Sequence, residues 1–220
     1  MSMPTDIEIV DLGIGFPYTS VEQKMASYDF FRANLKDEQS KKEMEFPVQY
    51  MFKGVPDVVE EGTDVIEWTL EKMDAFNIRI ARVGLGPNGL EARRRHPDRF
   101  VLGMSVNPND IMGALRQIEE AVSEHDVVNT MVFPSGCVPQ VAIDSPLMYP
   151  VYAKCVELDI AIFCCAGVPG PRVPMYPQLV QHVDEVCWYF PELKFVFRHG
   201  CEPWEDLAVK LMLKWPNLYY

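Results

Sequence analysis

The chain has 220 residues, 48% hydrophobic and 24% charged, with a mean hydropathy of −0.06; this is the composition of a folded chain with one sizeable core, not of a disordered one. Its 32 acidic against 20 basic side chains leave a formal charge of −12, which repels phosphate backbones and anionic bilayers and argues against nucleic acid or membrane surfaces as partners. The six cysteines lack CxxC spacing, MSMPTDIEIV is no basic-then-apolar leader, and no stretch nears the roughly 18 apolar residues of a membrane span, so a cytoplasmic location is expected.

Along the chain, short apolar runs alternate with longer amphipathic ones, the pattern of βα units around a parallel sheet. Strands are expected at 7–12, 78–85, 100–106, 127–133, 160–165 and 193–197, with a last one starting at Asn217. Most are nearly continuous apolar runs, as strands covered on both faces should be. Helical patterns fall at 63–76, 111–123, 148–158, 176–190 and 205–215, and Asp110 is placed to cap the second of these. Residues 16–55, rich in Lys, Glu and aromatics, read as a helical insertion over the barrel mouth. A full barrel takes about 250 residues. The expected fold is therefore a TIM-type (β/α)8 barrel, truncated after the start of its seventh strand, in a single domain.

Four segments carry a family resemblance: Glu71-Lys72-Met73-Asp74, His96-Pro97-Asp98-Arg99-Phe100, Asp144-Ser145-Pro146-Leu147-Met148-Tyr149-Pro150-Val151-Tyr152, and Arg198-His199-Gly200-Cys201-Glu202-Pro203-Trp204. In their order and spacing the chain resembles the amidohydrolase superfamily, in the branch of aminocarboxymuconate-semialdehyde decarboxylase and the resorcylate-type decarboxylases. The resemblance implies a divalent metal held by a His-x-His pair ending the first strand, a His ending the fifth, a His ending the sixth and an Asp ending the eighth. Here Gly13 and Gly15 occupy the His-x-His positions and Cys165 stands where the fifth-strand His is usual. Of these positions His199 alone keeps its ligand, short of the three protein ligands a catalytic Zn site normally needs. No cofactor is therefore expected, with Zn the alternative.

His199, expected at the mouth, suits proton transfer near neutrality. Cys164 and Cys165 are adjacent, so only one can face the barrel interior; Cys165 reads as lining, or less favourably as a nucleophile. Arg82 lies inside an apolar strand and should find a carboxylate, either Asp11 or a substrate's. Arg172, in a proline-stiffened loop, is an anion-binding candidate, and Trp204 and Phe133 are candidate aromatic walls. His96, His125 and His182 lack ligand spacing and should lie mostly at the opposite end. Glu60 and Glu61 read as part of a solvated face or a helix end, and Gly84 to Gly89 as a strand-end loop without dinucleotide-fingerprint context. The expectation is a hydrolase or decarboxylase for a small carboxylated or cyclic substrate, with a homo-oligomer as a candidate assembly. The rival is a non-catalytic pseudoenzyme that binds a small ligand or protein partner.

Overall fold

The computed structural model describes residues 6–44 and 58–220. In chain order its elements are β1 (Ile9–Asp11), α1 (Val21–Ser27), α2 (Asp29–Asn34), α3 (Glu38–Glu43), α4 (Val65–Ala75), β2 (Ile78–Gly84), α5 (Pro87–Arg95), β3 (Phe100–Ser105), α6 (Ile111–His125), β4 (Asn129–Val132), α7 (Tyr149–Glu157), β5 (Ala161–Cys165), α8 (Val183–Tyr189), β6 (Phe195–Arg198), α9 (Glu205–Lys214) and β7 (Leu218–Tyr219). All seven expected strands are present, each shorter than its apolar run. The expected insertion contains α1 to α3, and its part from 45 to 55 lies outside the described residues.

The chain divides into two compact units, one of Met1–Ala33 with Glu38–Gly103 and one of Asn34–Asp37 with Met104–Tyr220. In the first, β1, β2 and β3 run parallel in chain order. The buried face of α4, with Ile66, Leu70 and Met73, packs towards β2, whose Ala81 and Val83 are fully buried. Asp64 caps α4 by accepting from the Ile66 and Glu67 N–H groups, at 3.0 and 3.2 Å. Asp11 pairs with Ala81 along the ladder and accepts from the Gly13 N–H at 2.9 Å.

Gly84 to Gly89 is not a simple loop, because α5 begins at Pro87. Proline suits the first helical position, where its missing N–H costs nothing. Gly89 is then required by close approach: a Cβ there would lie 2.1 Å from the Gly84 carbonyl oxygen.

In the second unit β4, β5, β6 and β7 are likewise parallel and in chain order. Asp110 caps α6 as expected, accepting from the Gly113 N–H at 3.0 Å. The expected helix over 176–190 is broken into two single 3-10 turns, Tyr176–Gln178 and Val180–His182, before α8 begins. Pro177 has no N–H to continue a ladder, and Leu179 is extended at φ −62°, ψ 129°.

Replacing Gly89 with alanine should therefore lower stability by about 1–3 kcal/mol, read as a fall in Tm of roughly 2–10 °C. An unchanged melting curve would show that α5 stands clear of β2.

Candidate functional site

Ladder register decides which side chains share a face. In the second unit Met131 pairs with Phe163, Phe163 with Val196, and Cys165 with Arg198. Directly paired residues lie on one side of a sheet and successive residues alternate. One face of β4 to β6 therefore carries Met131, Phe163, Cys165, Val196 and Arg198. The other carries Cys164, Phe195 and Phe197, and is the helix side, because the Phe195 ring packs 6.1 Å from that of Tyr152 on α7. As expected of neighbours on a strand, Cys164 and Cys165 point apart.

The residues ending β4, β5 and β6 are tied together. Ala166 N–H donates to Arg198 O at 3.2 Å, Val168 N–H to Glu202 O at 2.8 Å and Gly167 N–H to Gln178 O at 2.9 Å. The Gln178 side chain, 2% exposed, donates through Nε2 to Gly167 O at 3.1 Å and accepts the Ser135 N–H at 3.4 Å. It thus joins the connections after β4 and β5. Gly167 has φ +92°, and a Cβ there would lie 2.8 Å from the Cys201 carbonyl carbon and from Glu202 N and O, so glycine is needed to let the fifth-strand loop touch the sixth.

His199 begins a left-handed turn: φ is 67° at His199, 76° at Gly200 and 61° at Cys201. Two non-glycine residues in this region carry strain that surrounding bonds must hold. Tyr220 donates to Gly200 O at 2.5 Å and Trp204 N–H to Cys201 O at 2.8 Å. The His199 side chain is exposed at the end of β6. Partial desolvation by nearby protein, and then the Arg198 charge, hold its imidazole below the usual histidine range.

Cys165 is 4% exposed. Burial pushes its thiol up to about 11, although Arg198 opposes the rise. Phe133 follows β4 and lies against Gly136, whose Cβ would meet its ring at 2.2 Å. Trp204 is half-buried at the start of α9, and Arg172 is exposed in the loop after β5. The structure thus gathers Cys165, His199, Phe133 and Trp204 onto the strand ends of one unit, with Arg172 on their loop. Arg82 is buried in β2 of the first unit.

Among the other histidines, His96 contacts Glu67 Oε1 at 2.9 Å and His125 ends α6. His182 differs from both, because it precedes α8 and so lies on the side where β5 ends. Its two ring nitrogens contact Asp144 Oδ2 at 2.6 Å and Tyr176 O at 3.0 Å, so both are engaged in tying loops. Sequence reasoning passed over Gln178 and Arg198. Nothing in the sequence marks Gln178, but Arg198 ends the apolar run Phe195-Val196-Phe197, the same signal that singled out Arg82.

With its thiol near 11, Cys165 has a thiolate fraction of ~10⁻⁴ at pH 7, about 100-fold below an ordinary cysteine. Iodoacetamide at pH 7 should label it correspondingly slowly in the native chain, followed by peptide mass spectrometry. Rapid selective labelling would mark an activated nucleophile.

The fold is shared with solved proteins. An uncharacterized TIM-barrel protein from Bordetella bronchiseptica matches 97% of this chain and 74% of its own, with a TM-score of 0.68 and 18% identity. A 5-carboxyvanillate decarboxylase from Novosphingobium aromaticivorans, solved with bound manganese, matches 97% and 71%, with a TM-score of 0.64 and 14% identity. The 4-oxalomesaconate hydratase of Rhodopseudomonas palustris matches 93% and 66%, with a TM-score of 0.54 and 16% identity. No curated protein sequence matches the chain. The parallel strands in chain order, with helices in the connections between them, are thus those of a TIM-type barrel. The amidohydrolase family model matches residues 61–220, and with that match over most of its length the chain belongs to the amidohydrolase family.

Proposed function

We propose that this chain is an amidohydrolase-type enzyme, a hydrolase or carboxy-lyase, acting on a small carboxylated or cyclic substrate where β4, β5 and β6 end. The observation that carries this reading is His199. Its imidazole is exposed on a strained turn and held below the usual range, so at neutral pH it is an unprotonated base. Such a base takes a proton from water in a hydrolysis; in a decarboxylation it first takes a proton from water and then gives it to the carbon as the bond to carbon dioxide breaks. Cys165 is a protonated lining group at the end of β5, Phe133 and Trp204 are aromatic walls, and Arg172 is a candidate partner for a substrate carboxylate.

The residues present do not fit the manganese of the decarboxylase relative. Gly13 and Gly15 supply no donor, Cys165 holds its proton, and among the described residues no three His, Cys, Asp or Glu side chains converge. Packing does not impose the glycine at 15, where a Cβ would meet nothing within 4 Å. No catalytic step is therefore routed through a metal, and elemental analysis of the purified protein should find well under one equivalent of Mn or Zn. A full equivalent surviving dialysis would require other ligands.

All six cysteines are free, and among the described residues no helix is long and apolar enough to cross a membrane; both support a cytoplasmic enzyme. Trp188, Tyr189 and Leu213, exposed by 69%, 61% and 78%, support self-association. The missing donors at Gly13 and Gly15 also favour a second reading, a non-catalytic protein that binds a ligand or partner at the same strand ends.

A screen of aromatic carboxylates and lactones separates the two readings. His199→Gln should keep the fold and lower turnover by on the order of 10² to 10⁴. Because burial and the Arg198 charge hold the imidazole below the usual histidine range, kcat/KM should fall on the acid side, with its midpoint below that range. Stability follows the same sign: the folded state favours the neutral ring, so the contribution is present above the unfolded value and is lost as pH falls through the folded one. Turnover unaffected by His199→Gln would end the mechanism, and no turnover across the screen would favour the binding protein.

A further inference from the structure

We propose that Arg198 is the anion anchor of this site, receiving the carboxylate of the substrate beside His199. The inference deepens the function proposed above by naming the group that recognises the substrate. Arg198 ends β6 on the face that carries Met131, Phe163, Cys165 and Val196. It is half-buried, and the residue after it is the exposed imidazole of the left-handed turn. A guanidinium in such a place ordinarily meets a carboxylate, because leaving water unpaired is costly. Here its Nη1 rests on the thioether sulfur of Met131, a weak acceptor. Among the described residues no carboxylate forms an ion pair with it.

The surroundings suit a guest rather than a structural partner. Met131, Phe163, Cys165 and Val196 offer no charge to compete for the guanidinium, and the Cys165 thiol stays protonated. The fork of a guanidinium matches a carboxylate through two parallel hydrogen bonds. In a chain of net charge −12, a cation kept clear of carboxylates is a selective point for a small anion. The neighbouring His199 would then lie next to the bound carboxylate, where its proton is needed. The competing account is a guanidinium that merely packs on Met131.

Benzoate, with benzamide as its uncharged counterpart, tests the anchor by calorimetry on the full chain. Wild-type protein should bind benzoate saturably and in preference to benzamide. Arg198→Gln should weaken benzoate by about 10- to 100-fold, the worth of a charge-assisted pair of hydrogen bonds, and leave benzamide unchanged. Arg198→Lys, which keeps the charge but not the fork, should fall between. The His199 titration followed by NMR should move up when benzoate neutralises Arg198 in the wild type, and should not respond to benzoate in Arg198→Gln. If the Gln variant fails to fold, the Lys variant and the NMR titration decide. Benzoate affinity indifferent to Arg198, no saturable benzoate binding, or no preference over benzamide would each overturn the anchor. Arg198-dependent benzoate binding without any turnover would instead refute the catalytic reading and leave the anchor standing, whereas His199-dependent turnover with Arg198-independent binding would do the reverse.

Discussion

The direct ladder pairing of Cys165 with Arg198 is the constraint on which the rest of the second unit depends. Side chains alternate along a strand, so that one pairing assigns every residue of β5 and β6 to a face. It sends Cys164, Phe195 and Phe197 to the dry side against Tyr152, and Cys165, Val196 and Arg198 to the other. A slip of one residue would push the Arg198 guanidinium among aromatic rings that offer it no hydrogen bond, a burial too costly to persist.

The strand ends inherit their geometry from that register. With β5 and β6 aligned, Ala166 and Val168 reach the sixth-strand backbone, and Gly167 must lack a side chain for them to do so. Gln178 then closes the connection after β4 onto the same frame from a fully dry position. The left-handed turn at His199 is held from outside by Tyr220 and Trp204. Bonds made elsewhere thus support the strain that presents the imidazole, as at other sites where strain persists.

Kinship within the amidohydrolase family fixes the scaffold and leaves the chemistry open, since one fold hosts many reactions. A decarboxylase and a hydratase share this architecture. The local features of this chain are two glycines at 13 and 15, a thiol at 165 that burial pushes up to about 11, and a guanidinium at 198 followed by an imidazole held below the usual histidine range.

The sequence by itself determined the seven strands, the Asp110 cap and the family, because apolar period, capping chemistry and motif order are local properties of the chain. It also placed His199 just past the end of β6, since the residue follows the apolar run Phe195-Val196-Phe197 and precedes Gly200, where an apolar strand pattern stops. The tertiary structure decided what depends on partners distant along the chain. Pro177 and the buried Gln178 broke the expected helix over 176–190, and close approach to Gly84 required the glycine within α5. The Asp144 contact turned His182 from a bystander into a loop tie. Burial pushes the Cys165 thiol up to about 11, and only the pairing of two strands more than 30 residues apart in sequence set Arg198 beside it, since register is a property of the sheet and not of either strand alone.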